Sequence, residues 1–460
     1  MAAYEYDIMV IGGGPGGYVA AIAAAKEGKK VCLAERANLG GVCLNEGCIP
    51  TKTLIKTANV LHEIKEAASF GIEGVNPAAV FVSMQKMQER KKGVVSKLVG
   101  GVKALLRGNK VTILEGTAKF TDAHTVVVAG KNVTFEYAII ATGSEVMIPS
   151  FIKQEGKNTI LTSREILNID TVPASIAIIG GGVIGIEFAY LFNKLGSKVT
   201  VLELMENILP MVDEEVSGMA QKRLAKDGVA FHMGARVHTV KDNAVLFEKG
   251  GKQESVKADY VLMAVGRVPN SEGLGAKEIG IEYEKAAIKT DGSLRTNVPN
   301  IYAIGDVNGK VMLAHTASHE GIVAVGAICG KPGHMDYAKI PSCIYLEPEI
   351  ACIGMTEKQA KEQGKQVKIG KFPMAANGKS LSEGDTDGMV KVIVDAELGE
   401  ILGVHLYGKH VTDMIAELSV AMTLEATAEE IIHSIHPHPT VSESLPEAFM
   451  AAYGKAIHCM

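Results

Sequence analysis

IMVIGGGPGGYVAAIAAAKEGKKVCLAE, residues 8–35, recurs without a gap as IAIIGGGVIGIEFAYLFNKLGSKVTVLE, residues 176–203. The two copies align Gly12 with Gly180, Gly14 with Gly182 and Gly17 with Gly185, then Lys26 with Lys194, Gly28 with Gly196 and Val31 with Val199. Each reads as a short apolar strand, a GxGxxG turn, a helix ended by glycine, and a second strand that closes on an acid, Glu35 or Glu203. This is the dinucleotide-binding βαβ pattern. The first glycine makes the tight turn, the second lets backbone approach a pyrophosphate, and the third allows close packing of helix on strand. The helix N-terminus receives the anion, and the acid accepts hydrogen bonds from a ribose hydroxyl. Glycine-rich turns in an ordinary α/β sheet would not explain why both second strands end in glutamate. Two dinucleotides on one chain imply that reducing equivalents pass between them.

The chain has 460 residues, enough for two to four domains of about 100–200 residues each. A net charge of −5, 22% charged residues and no basic run describe an ordinary surface and argue against a nucleic-acid partner. The apolar N-terminal stretch follows Glu5 and Asp7 and is interrupted by glycine and proline, so it reads as a strand entering a helix and not as a signal peptide. No uninterrupted apolar run reaches the roughly 18 residues of a membrane span, and no membrane segment is expected. The seven cysteines, Cys32, Cys43, Cys48, Cys329, Cys343, Cys352 and Cys459, are odd in number and scattered. They argue against a secreted disulfide framework and for a reducing, cytoplasmic location.

Two of them lie close together in GGVCLNEGCIPTK, residues 40–52. On an ideal helix the Cα atoms of Cys43 and Cys48 would be ~8–9 Å apart, whereas a disulfide needs less than about 7 Å. Either the thiols stay separate, or the segment is a distorted turn that lets them bond, with Gly47 supplying backbone latitude.

That stretch, the paired fingerprints and the closing HPHPTVSE (residues 436–443) together resemble the flavin-dependent pyridine nucleotide–disulfide oxidoreductases, and among them the members that oxidise dihydrolipoamide. The similarity runs from Tyr6 to Ile457. It implies that Gly12, Gly14, Gly17 and Glu35 bind FAD, and that Gly180, Gly182, Gly185, Glu203 and Val237 bind NAD. Cys43 and Cys48 would form a redox-active disulfide against the flavin, Cys43 as exchange thiol and Cys48 on the flavin side. Lys52 and Glu187 resemble the pair beside the flavin, where a cation stabilises developing negative charge. Thr142 and Gly143 of AIIATGSE (138–145), Asp306 of NIYAIGDV (300–307), Gly116 and Ala314 would complete the FAD site. Gly266 and Arg267 of VGRVPN (265–270) would border the nicotinamide dinucleotide. By the same resemblance His438 is the base, with Glu443 fixing its tautomer, and the His438–Pro439 bond is cis. A metal at His436 and His438 is not expected: no third ligand accompanies them, and Pro437 and Pro439 restrict their approach.

The fold expected is α/β, with two Rossmann-like dinucleotide-binding domains and a C-terminal α+β dimerisation domain. Boundaries are placed at 1–145 (FAD), 146–270 (NAD), 271–338 (a central domain completing the FAD site) and 339–460 (interface). In the last, MVKVIVD and EILGVHLYG suggest alternating antiparallel strands, and EIIHSI and LPEAFMAAYGKAI amphipathic helices. The resemblance further implies a homodimer whose substrate is a lipoyl group on another protein, of a 2-oxo acid dehydrogenase complex or of glycine cleavage. A flavin reductase for another small disulfide is the alternative. Glu203 disfavours the 2′-phosphate of NADP, and a single cysteine near the C-terminus, Cys459, does not make the pair a mercuric reductase would carry.

Overall fold

The computed structural model describes residues 4–157, 160–331 and 333–459; residues 1–3, where the first expected domain begins, and Met460 lie outside them. Each copy of the repeat builds the centre of a parallel sheet. Strand Tyr6–Ile11 passes through the glycine turn into helix Pro15–Lys26 and returns as strand Val31–Glu35, with Ile8 opposite Val31 and Ile11 opposite Ala34. Strand Ser175–Ile179, helix Val183–Lys194 and strand Lys198–Glu203 repeat this, with Ile176 opposite Val199 and Ile179 opposite Leu202. The sheets grow in the same order. Thr112–Glu115 and Lys131–Ile140 flank the first pair, Ala230–Met233 and Tyr260–Met263 the second. Ile8, Met9 and Val10 are wholly buried, as are Ala177 and Ile178. Such continuous apolar runs are what strands covered by helices on both faces require.

Residues 271–338 do not build a core of their own. Strand Ile301–Ala303 adds in parallel to Lys131–Ile140 of the first sheet, and Leu274, Ile281 and Ile301 share a core with Met9 and Phe135. Helix Ala314–Ile328 lies so close to helix Pro15–Lys26 that a Cβ on Gly321 would come within 2.9 Å of the Gly16 carbonyl oxygen.

The C-terminal part forms an antiparallel sheet in the order Ser342–Ile344, Glu349–Gly354, Ile401–Gly408, Met389–Asp395, Val367–Pro373. The antiparallel pairing read from MVKVIVD is found, and Met389 to Val394 are all buried. One face packs on helices Val411–Thr423 and Ser444–Ala451, and the other on the second dinucleotide half through Met389, Tyr407 and Ile350.

Lys391 is the cation trapped by this double coverage. Its Nζ lies 2.8 Å from Asp213, 2.7 Å from Glu357 and 3.2 Å from Glu215. Asp213 in turn caps helix Glu214–Lys226. Lys391→Met strands these carboxylates in a site the lysine side chain fills at 4% exposure. A loss of about 3–5 kcal/mol is expected, the cost of breaking a buried ion pair from one side. Denaturant unfolding measures it, and a loss under about 1 kcal/mol would mean that the pairing contributes no more than a surface bridge.

Among the described residues no helix is long and apolar enough to cross a membrane.

Candidate active site

The carboxyl ends of both parallel sheets open on one cleft of ≈ 1420 Å³. Position here follows from the glycine turns. At Gly12, φ is +106°, and a Cβ would stand 2.3 Å from the Ala141 carbonyl oxygen; at Gly180, φ is +113°, with the Ala264 oxygen at 2.3 Å. No side chain fits either place. Gly17 and Gly185 sit deeper, where a Cβ would meet the oxygen of Gly12 at 1.8 Å and of Gly180 at 2.0 Å, so they pack helix on strand and do not line the cleft. Both helices start without a side-chain cap and with no acid in the first turn. Their free N–H groups and the positive end of each helix face the cleft beside Gly14 and Gly182, the environment a pyrophosphate takes up. The residues present therefore fit two dinucleotides.

Glu35 and Glu203 also line the cleft, and their oxygens brace the turns. Glu35 accepts from the Gly13 and Ala37 N–H groups, both at 2.7 Å; Glu203 accepts from Gly181 at 2.5 Å and Met205 at 2.8 Å. Each oxygen keeps a lone pair for a ribose. Gly116 donates its N–H to the Glu35 carbonyl oxygen and borders the same cleft.

The two cysteines stand on a broken helix. Helix Gly41–Glu46 stops and helix Cys48–Lys65 starts at Gly47, where φ −145° and ψ −111° leave the helical region. This is the distorted turn of the two sequence options, and it brings both thiols into mutual hydrogen-bond contact in the cleft. Their acidities diverge. The Cys43 thiol is pushed up by its hydrogen bond to Cys48 and by burial. Cys48 is drawn down by that same bond and by the Lys52 ammonium, against burial. Lys52 lies one turn further on, its Nζ 2.8 Å from both oxygens of Glu187 on helix Val183–Lys194.

Four residues not singled out in the sequence complete this region. Ser144 donates to Asp306 and accepts from Arg267 Nε at 2.7 Å, while an Arg267 NH2 group donates to the Ser144 carbonyl oxygen at 2.6 Å. Asn270 accepts from Thr142 Oγ1 at 2.7 Å through its carbonyl oxygen and donates its N–H to the Gly143 carbonyl oxygen at 2.9 Å. Arg164 holds Glu46, between the cysteines, at 2.5 Å. Tyr345 donates its N–H to Glu187 at 3.1 Å. Ser144 followed directly from Gly143, so proximity in sequence could have flagged it; the others are joined only by the fold. Ala314 and Gly266 line the cleft as expected.

Arg267, expected on the nicotinamide or the flavin side, lines the cleft with its guanidinium partly buried and engaged with Ser144, which itself holds Asp306. The Val237 side chain is 6% exposed and lies in an apolar core with Val240 and Phe247, so a contact of this residue with NAD would be made through its backbone. On strand Arg236–Lys241 the outward positions alternate with Val237, so its side chain is spent on the core.

His438 and Glu443 line a second, smaller cavity of ≈ 380 Å³. His438 Nδ1 is 2.9 Å from Glu443 Oε1, and the Thr440 N–H donates to Glu443 Oε2 at 2.9 Å. Although burial opposes it, the Thr440 N–H and His438 hold the Glu443 carboxyl below its usual range. The carboxylate accepts a hydrogen bond from Nδ1–H and leaves Nε2 as an acceptor, with the imidazole 77% exposed. The His438–Pro439 bond is cis. His436 spends both nitrogens, on Glu417 at 2.9 Å and the Ser434 carbonyl oxygen at 3.1 Å, and no cluster of metal ligands exists among the described residues.

Comparison with known proteins agrees with this geometry. Residues 6–321 match the family model described as pyridine nucleotide-disulphide oxidoreductase, and residues 340–449 match its dimerisation domain. The chain is 43% identical over 457 residues to a dihydrolipoyl dehydrogenase of Bacillus subtilis (strain 168), covering 98% of this chain and 99% of that one. It is 44% identical over 466 residues to a dihydrolipoyl dehydrogenase of Geobacillus stearothermophilus, covering 99% and 98%. Among solved structures, the HOCl-induced flavoprotein disulfide reductase RclA from Escherichia coli superposes with a TM-score of 0.84 at 29% identity, over 96% of this chain and 99% of that one. With two glycine turns facing one cleft, a cysteine pair between them and a dimerisation domain behind, the chain belongs to the pyridine nucleotide–disulphide oxidoreductase family.

Proposed function

We propose that this chain oxidises protein-bound dihydrolipoamide to lipoamide through a Cys43–Cys48 disulfide, with FAD on the first glycine turn and NAD, the acceptor, on the second. The observation that carries this reading is the cysteine pair in the cleft that both glycine turns line, with Lys52 beside it held by Glu187. Thiol–disulfide exchange proceeds fastest when the departing sulfur is the more acidic one. Attack at Cys43 therefore expels Cys48, whose thiolate Lys52 stabilises; spacing alone could not order the two.

The steps follow from the residues. His438 Nε2 takes the proton of one substrate thiol, and that thiolate attacks Cys43 Sγ, forming a mixed disulfide as the Cys43–Cys48 bond breaks. The second substrate sulfur, on losing its proton, then attacks the sulfur of its own chain that is bonded to Cys43. Cyclic lipoamide leaves, Cys43 departs and takes up a proton, and the chain holds two more electrons as a dithiol. FAD, which Glu35, Gly116, Thr142, Asp306 and the first helix terminus would hold, supplies when bound a two-electron carrier between that dithiol and NAD. Lys52, kept in place by Glu187, supports the negative charge on Cys48 once the disulfide has opened.

The base stands in a different cavity from the disulfide. In this reading the working unit is a homodimer in which each chain lends His438 to its partner's cleft, and it meets a lipoylated protein of a 2-oxo acid dehydrogenase complex or of glycine cleavage in the cytoplasm. The direct test is NAD reduction by purified protein with a dihydrolipoylated carrier domain. Turnover of free small disulfides with none of the lipoyl substrate would favour instead a reductase of the kind the RclA likeness suggests.

Glu203 sets the nucleotide. Its carboxylate is pinned by Gly181 and Met205, so it cannot swing away from a 2′-phosphate, and like charges brought together there cost several kcal/mol. NAD is expected to exceed NADP by ~100-fold or more in kcat/KM. Equal efficiency would show that Glu203 does not reach the ribose.

A further inference from the structure

Lys52 and Glu187 come from the two dinucleotide halves, yet a third element touches both. Tyr345 lies in the turn between strands Ser342–Ile344 and Glu349–Gly354, within the segment that matches the dimerisation domain. Its N–H donates to Glu187 Oε1 at 3.1 Å, and its ring lies under Lys52 with Nζ 4.7 Å from the centroid. Glu187 is 5% exposed and the Lys52 side chain 30%, so the ring forms the wall that keeps water from one side of the ammonium. An ammonium is drawn to an aromatic face, and removing water from its surroundings strengthens its field at short range. We propose that Tyr345 is a positioning residue that holds the Lys52 ammonium toward Cys48.

This deepens the reading of Cys43 and Cys48 as the working pair and rests on it. It also gives the dimer-forming sheet a hand in the chemistry of a cleft built by the other two. The groups that act on Cys48 from the surrounding elements are Cys43, Lys52 and Glu187, while Arg267 and Tyr345 also sense it; Cys343 and Glu349 act on Tyr345. Burial first, then Cys343 and Glu187, push the Tyr345 phenol up, so it stays neutral beside Lys52.

The test measures the pH midpoint of Cys48 alkylation by iodoacetamide, read from the mass of its peptide, in holoenzyme carrying Cys43→Ser. Tyr345→Phe keeps the ring and should leave the midpoint within about 0.2 unit, whereas Tyr345→Leu should raise it by about 0.5–1 unit. With Lys52→Met added, the Phe and Leu variants should coincide. The proposal is overturned if Leu and Phe give one midpoint with Lys52 present, or if their difference persists without Lys52. Tyr345→Met serves the same comparison should the leucine variant not fold. Because the midpoint needs no turnover, failure to oxidise dihydrolipoamide would sink the proposed function and leave this result standing.

Discussion

Cys43→Ser is expected to lower dihydrolipoamide oxidation by ~10³-fold or more, since a serine oxygen cannot take part in thiol–disulfide exchange and no other thiol is paired with Cys48. The remaining cysteines offer no substitute. Cys32 and Cys352 are buried and their thiols pushed up to about 12 by burial, and Cys343 is pushed up to about 11. The loss should fall on the dithiol half-reaction alone. NADH reduction of a one-electron dye needs the two dinucleotides and not the cysteine pair, and should survive. The variant should also remain yellow, and with the Lys52 ammonium still in place its Cys48 thiolate should give a long-wavelength absorbance against the oxidised flavin. If Cys43→Ser oxidises dihydrolipoamide at the wild-type rate, the disulfide mechanism is wrong.

What could be read from the sequence divides along a physical line. The glycine turns were legible because the requirement is local: a backbone with φ near +106° at Gly12, or a carbonyl 1.8 Å from a would-be Cβ at Gly17, admits one residue type wherever the chain later goes. Two such turns at matching offsets therefore specified two sheets, and the structure has both. The cysteine turn was half legible. Spacing left open whether the helix would break, and the order of the thiols depends on Lys52 and Glu187 meeting from different helices. Contacts of that kind leave little trace in one sequence. Nothing near Arg164 announces Glu46, and nothing near Tyr345 announces Glu187. The antiparallel strand read from MVKVIVD is covered on both faces, and it can carry a lysine there because Asp213 and Glu357 meet it.

His438→Ala should cost 10²–10⁴-fold in turnover, the usual range for a lost general base. The more decisive result concerns which chain's cysteines it serves. In one chain the imidazole and the cysteine pair line separate cavities. His438 presents Nε2 outward on a 77% exposed side chain, an expensive place for a base unless another surface closes over it. Ile435, three residues before, is 99% exposed, and a large apolar side chain so bare on the segment matched to the dimerisation domain is accounted for when a second copy covers it. A two-fold axis through that sheet would carry each His438 to the neighbour's cleft and make every active site a shared one. Cys48→Ser and His438→Ala, unfolded together in equal amounts and refolded, should then pair at random. About half of the dimers would be mixed, each with one intact site, and about a quarter of wild-type activity should return. A tag on one partner verifies that mixed dimers form. If they do and activity stays at the level of the separate variants, the base acts within its own chain, and the small cavity around His438 must open onto Cys43 by a movement of the C-terminal segment instead.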